Sequence, residues 1–268
     1  MSLADLGDVS LFYTDEGDPV DETPLLFVHG FACDSQDWSF QLPAFAATHR
    51  VVAYDQRGHG GSSVPAGGYD PTQLADDAAS LIRHLALGPV VAVGHSLGAG
   101  TVLILAANHP ELTRGIVTVD LSYPPDDARG RLQARAEEAA AESGRETAAE
   151  IISELDGPTT PLWLRTWHRR RALAMPHTPL AQVLTGILNG TDAYVLQSQG
   201  AVQLARVQCP ILSFRVDPAG AAWEAAQMRH PLSKVVSWEA TAHWLHRERP
   251  EEFNRLVRDW VDRLSSGG

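Results

Sequence analysis

The chain has 268 residues, of which 44% are hydrophobic and 20% charged, with a formal net charge of -12. That length suits one large α/β domain with room for an insertion, and the apolar content excludes bulk disorder. The acidic balance excludes nucleic acid and anionic membrane surfaces as expected partners, because both would repel it.

The N-terminal stretch Met1 to Asp5 has no basic segment ahead of an apolar run, so no signal peptide is expected. Val9 to Thr14 alternates and reads as a strand, broken by Glu16-Gly17-Asp18-Pro19. Leu25-Leu26-Phe27-Val28 reads as a strand buried on both faces, ending at His29-Gly30-Phe31. A helical segment is expected over Trp38 to Ala47, then a second buried strand, Val51-Val52-Ala53-Tyr54, leading into Asp55-Gln56-Arg57-Gly58-His59-Gly60-Gly61-Ser62. Thr72 to Leu87 carries apolar residues at helical spacing.

Val90 to Val93 is a third apolar run and enters Gly94-His95-Ser96-Leu97-Gly98, which reads G-x-S-x-G. A serine at a tight strand-to-helix turn presents its hydroxyl above a sheet, and small flanking residues permit so sharp a turn. The helix expected from Leu97 to Ala107 aims its positive end at the same place. Those central polar residues also interrupt the longest apolar stretch, which therefore does not read as a membrane span. Gly115 to Val119 is the next buried strand and ends at Asp120.

Buried strands alternating with helices argue for a mostly parallel, doubly wound α/β sheet. The pattern changes after Ser122. From Asp126 to about Val207 the chain reads as helices with no core strand, and the sheet pattern returns at Pro210 to Phe214 and Lys234 to Trp238. The expected organisation is a core of residues 1–121 and 208–268 with a helical lid of residues 122–207 inserted where the strands end. Pro250 to Leu264 is a closing helix, followed by the low-complexity tail Ser265-Ser266-Gly267-Gly268. Cys33 and Cys209 are the only cysteines. Two lone thiols make neither a disulfide framework nor a metal-ligand set, so no metal is expected, and a reducing cytoplasm is the expected setting.

A serine hydroxyl is a poor nucleophile at neutral pH and needs a base, oriented in turn by an acid. Among eleven histidines, His243 follows the last expected strand and would share an edge with Ser96. His246 competes but is expected to face solvent beside Arg247 and Glu248. His95 should point away from the nucleophile, and His29 should be structural. Trp163 and Trp167 lie four apart on one helix face and either line a pocket roof or pack the lid. The arginines at 165, 169, 170 and 171 read as a solvated face, or as partners for a substrate carboxylate. Trp244 is expected near the site, and Trp38 in packing.

At these motifs the chain resembles the α/β-hydrolase superfamily. His29-Gly30-Phe31, the Asp55-to-Ser62 stretch, Gly94 to Gly98, and Ala242-His243-Trp244 followed by Pro250-Glu251-Glu252-Phe253 stand in that family's order. The resemblance implies the α/β-hydrolase fold, Ser96 as nucleophile, His243 as general base, and an oxyanion hole from the N–H groups of Phe31 and Leu97. Chain order admits Asp120 or Asp217 as the acid. Family members usually carry the acid in a Gly-x-x-Asp stretch, and Arg215-Val216-Asp217-Pro218 lacks that glycine and is shortened. Branches such as haloalkane dehalogenases, zearalenone lactonases and cofactor-free quinolone dioxygenases place the acid one strand earlier, where Asp120 lies, so Asp120 is preferred. The expected activity is hydrolysis of an apolar or aromatic carboxylic ester or lactone, with no cofactor. C–C bond hydrolysis, cofactor-free dioxygenation, or a small-molecule receptor role are the alternatives; dehalogenation would need a carboxylate where Ser96 stands.

Overall fold

The computed structural model describes residues 2–17 and 23–266, with the side chains of Ser265 and Ser266 outside the description. Asp18 and Pro19 of the expected break, and Gly267 and Gly268 of the expected tail, therefore lie outside the described residues. Eight strands form one sheet: β1 (Ser2–Asp5), β2 (Ser10–Glu16), β3 (Leu25–Val28), β4 (Val51–Tyr54), β5 (Val90–His95), β6 (Thr113–Val119), β7 (Ile211–Arg215) and β8 (Lys234–Ser237). Their order is β1-β2-β4-β3-β5-β6-β7-β8, antiparallel from β1 to β4 by way of β2 and parallel from there on. This is the α/β-hydrolase fold with a helical insertion. β1 was not expected; it is a short edge strand paired only to β2.

The parallel strands are apolar without alternation because both faces are covered. Leu26, Val28, Val52, Tyr54, Val90 and Ala92 face α2 (Pro71–His84) and α3 (Leu97–Asn108). Their neighbours Leu25, Phe27, Val51, Ala53, Val91 and Val93 face the opposite layer, which holds α1 (Leu42–Ala46) and, after the short α10 (Leu245–Glu248), α11 (Pro250–Ser266). In α11, Phe253, Val257, Trp260, Val261 and Leu264 recur on one helical face and are buried. Burying each such side chain contributes about 1.5–3 kcal/mol.

One expected helix is divided. Over Trp38 to Ala47 the chain makes a 3₁₀ turn at Ser35–Trp38 and then α1. Pro43 is the reason: inside a longer helix it would remove a hydrogen bond, whereas in the first turn of α1 it does not.

Between β6 and β7 lie α4 (Arg129–Ala140), α5 (Gly144–Leu155), α6 (Leu162–Ala174), α7 (His177–Asn189) and α8 (Gln197–Arg206). The first four pack mainly among themselves. α8 behaves differently: it rests on α3 and on α9 (Pro218–Gln227), with Leu204 in the core beneath the sheet. By contacts α8 belongs with the layer of helices on the core and α4–α7 form the cap. Arg171 of α6 ties the cap to the core, 3.1 Å from Asp34 and 2.7 Å from the fully buried Asp37. It is therefore neither a solvated face nor free to meet a substrate carboxylate. Arg165, Arg169 and Arg170 are exposed, as a solvated face would have them, and Arg165 donates to the carbonyls of Thr160 and Gly157.

Candidate active site

The strand order reverses between β3 and β5. β3 leads to β4 on one side, and β5 leads to β6 on the other. The loops leaving their ends diverge, so a crevice opens there, where open α/β sheets bind ligands. Ser96 stands between β5 and α3 with φ 52° and ψ -113°, a strained geometry for a residue with a side chain. Its N–H donates to the Val119 carbonyl at 2.9 Å. The two motif glycines leave no alternative. A Cβ on Gly94 would lie 2.2 Å from the Gly98 carbonyl oxygen, and one on Gly98 would lie 2.2 Å from that of Val28. Those contacts let α3 start directly above β3 and β5.

Asp120 directly follows β6, the strand beside β5, and also has positive φ, at 49°. Its Oδ2 accepts from His243 Nδ1 at 2.7 Å, and its Oδ1 accepts from the Val216 N–H at 3.2 Å. Burial alone would raise its pKa. The His243 hydrogen bond and charge, the Val216 N–H and the Arg215 guanidinium outweigh burial and hold it below the usual carboxylate range. Asp217 is elsewhere in role: it accepts from the Ala219 and Gly220 N–H groups at 3.1 and 2.8 Å and caps α9.

Ser96, Asp120 and His243 line one cavity of about 180 Å³, together with Phe31, Leu97 and Trp244. The Ser96 side chain makes no hydrogen bond among the described residues; such bonds tighten when substrate arrives. Leu97 opens α3, so its N–H is one of the first-turn donors without an intrahelical partner. Phe31 leaves β3 across the crevice. His29 holds that loop: its Nε2 accepts from the Gln56 N–H at 2.9 Å, which places the proton on Nδ1, and Nδ1 donates to the Gly30 carbonyl at 2.8 Å. Gln56 returns a bond to the His29 carbonyl at 2.8 Å and accepts from Thr101 of α3 at 2.8 Å. Sequence motifs pointed to His29 but not to Gln56 or Thr101, which tie the two sides of the crevice together.

Two expectations change. His246 is fully buried, not solvent-facing, with ring centres 4.5 Å from Trp38 and 4.8 Å from His95. Burial pushes its pKa to about 3, against the pull of Asp37, so it is neutral. Trp163 and Trp167 do not line the cavity. They are 54% and 37% exposed, with Arg247 and Arg171 over their respective rings. Trp244 does line it, stacked at 3.7 Å on His168 of α6 and edge-on to His243 at 5.0 Å. Glu248, read from the sequence only as a charged neighbour of His246, accepts from Thr160 of the cap at 2.9 Å and from the Ala242 N–H at 3.2 Å. It joins the cap to the loop carrying His243.

Residues 25–256 match the alpha/beta hydrolase family. The chain belongs to that family. Among curated relatives, the 2-(acetamidomethylene)succinate hydrolase of Mesorhizobium japonicum is 38% identical over 133 residues, 49% of this chain and 46% of that protein. The bifunctional esterase/perhydrolase of Acinetobacter calcoaceticus is 41% identical over 103 residues, 38% of this chain and 37% of that protein. The matches thus span less than half the length of these curated relatives. Among solved structures, a thermophilic esterase from Thermogutta terrifontis superposes with a TM-score of 0.80 at 26% identity, covering 96% of this chain and 94% of that one. Among the described residues of this α/β hydrolase, no helix is long and apolar enough to cross a membrane, and no cluster of three or more metal-ligating side chains occurs.

Proposed function

We propose that the chain is a serine hydrolase of carboxylic esters or lactones with an apolar acyl part. The observation that carries this is the 2.7 Å bond from His243 to Asp120, made in the cavity that Ser96 also lines. The Asp120 carboxylate holds His243 with its proton on Nδ1, leaving Nε2 free to act as base. Ser96 Oγ then bonds to the carbonyl carbon as His243 takes its proton. The oxyanion that forms is met by the N–H groups of Phe31 and Leu97. Collapse breaks the ester C–O bond, and His243 returns its proton to the leaving alkoxide. Water, deprotonated by His243, then releases the acid and restores Ser96.

The lining limits the substrate. No lysine or arginine stands among the described residues lining the cavity, so a carboxylate-bearing substrate such as the succinate named for the Mesorhizobium relative would find no cation beside it. Leu121, Ile152, Leu155 and Val183 line it instead. The test is labelling with a fluorophosphonate alongside a panel of 4-nitrophenyl esters and lactones. Ser96 should be the labelled residue, and Ser96→Ala should lose both labelling and turnover, the latter on the order of 10⁶ in kcat. Labelling elsewhere with turnover intact, or ligand binding with no turnover, overturns the reading.

A further inference from the structure

A second cavity, of about 210 Å³, lies within the cap between α4, α5 and α7. Four side chains line both it and the catalytic cavity: Ile151 of α5, Leu184 and Ile187 of α7, and Val195. Beyond them, Leu132 and Ala136 of α4 and Leu188 of α7 continue the hydrocarbon surface. The charged groups there are Arg135 and Glu154, and they are paired with each other across α4 and α5. Their side chains are 31% and 66% exposed, so the pair marks the outer end. Arg135 is further engaged by Glu138 at 3.2 Å and Glu150 at 3.9 Å, so its charge is already answered.

We propose that the substrate carries an unbranched alkyl chain that runs from Ser96 past Ile151, Leu184, Ile187 and Val195 into this second cavity. The inference rests on the hydrolase reading above and adds a substrate class to it. A ring system fills one cavity, whereas a chain can occupy two at once by passing the four aliphatic side chains common to both linings. Each methylene leaving water for that surface gains about 0.8 kcal/mol, or roughly a fourfold change in affinity. A polar or charged tail would gain nothing from the lining and would have to compete with three carboxylates for Arg135.

Ala136 is the position to test, because it is buried, small, and lines only the second cavity. Ala136→Leu fills that space. Leu132→Trp fills it from a partly buried site and serves if the first variant folds poorly, as judged by thermal unfolding. The wild-type ratio of kcat/KM for 4-nitrophenyl decanoate over acetate should fall at least tenfold in either variant. A ratio unchanged in both folded variants overturns the inference while acetate turnover upholds the hydrolase reading. Calorimetry of butan-1-ol through decan-1-ol on Ser96→Ala decides the matter without turnover. Affinity should climb by about fourfold per methylene through decanol, and should stop climbing earlier once Ala136→Leu is added. A plateau at the same chain length in both proteins separates the cavities and overturns the inference, whatever becomes of the hydrolase reading.

Discussion

His95 Nε2 lies 3.0 Å from the carbonyl oxygen of His243, with the two rings 4.5 Å apart. The residue before the nucleophile thus holds the backbone of the loop that carries the base. Burial drives the His95 pKa well below its ordinary value, so the ring is neutral and Nε2 carries the proton that it donates. Its other edge faces Gly30, where a Cβ would come within 2.8 Å of Nδ1. His95 therefore touches the base loop on one side and the loop before Phe31 on the other. His95→Phe should lower kcat by up to about 100-fold, the scale expected when a catalytic group is misplaced by about 1 Å. His95→Gln keeps a donor and should recover much of that loss. Equal losses in both variants, at equal thermal stability, would show that the donated bond does not matter.

The two aspartates should separate cleanly. Asp120→Asn leaves an amide against His243 and should cut kcat by up to about 10⁴ with the fold retained. Asp217→Ala removes the cap of α9 and should cost about 1 kcal/mol of stability, with turnover close to wild type. Steady-state kinetics and thermal unfolding on both variants check this; a crippled, fully folded Asp217→Ala would reverse the assignment.

The strands and the elbow were legible because their signals are local. Runs such as Val51-Val52-Ala53-Tyr54 and the spacing of Gly94, Ser96 and Gly98 depend only on residues adjacent in the chain. The preference for Asp120 rested on the shortened stretch around Asp217 and on the resemblance to branches that carry the acid one strand earlier; in the fold the Asp120 carboxylate accepts from His243 Nδ1. What failed depended on packing between distant segments. A helical repeat shows that Trp163 and Trp167 share a face, not which way the face turns; here it turns to solvent. His246 sits among charged neighbours in sequence, Arg247 and Glu248, yet Trp38 from over 200 positions earlier covers it. The Gln56 and Thr101 contacts are of the same kind: ordinary residues that become important only through a distant partner.

Buried histidines should set the acid limit of the fold. Burial pushes His59 and His246 from 6.5 to about 3, and His95 also well below 6.5. Their folded values are depressed, so the unfolded chain binds more protons between about 3 and 6.5, and stability is lost as pH falls through that window. At pH 5 the loss is about 2 kcal/mol per group. Three groups together approach the total stability of many domains, roughly 5–15 kcal/mol. Circular dichroism should show unfolding that begins below about pH 6. His246→Phe should move the midpoint to lower pH. Its ring lies among Trp38, Phe253 and His95, and its nitrogens have no hydrogen-bond partner among the described residues. Asp37, Arg247, His243 and His168 face it as well, so the shift should be partial. An unmoved midpoint would place the acid sensitivity elsewhere.

Glu224 of α9 should act in the opposite sense. Its carboxyl is fully buried against the sheet, accepting from Ser213 Oγ at 2.8 Å and lying 3.4 Å from Arg215 Nη1. Burial raises its pKa to about 7, with the Asp120 charge adding to the rise and Arg215 and the Ser213 bond opposing it. The folded value is raised, so its contribution is fully present below about 4.5 and is lost as pH climbs to about 7. Glu224→Gln copies the protonated form. At pH 5 the variant should unfold within a few degrees of wild type. At pH 8 it should gain on wild type by an amount on the order of 3 kcal/mol, since the wild-type side chain must then ionise in place. The histidines are common to both proteins and cancel in the difference. Thermal unfolding of the pair at the two pH values is sufficient. A difference in melting temperature that stays constant from pH 5 to 8 would mean that Arg215 keeps Glu224 ionised throughout.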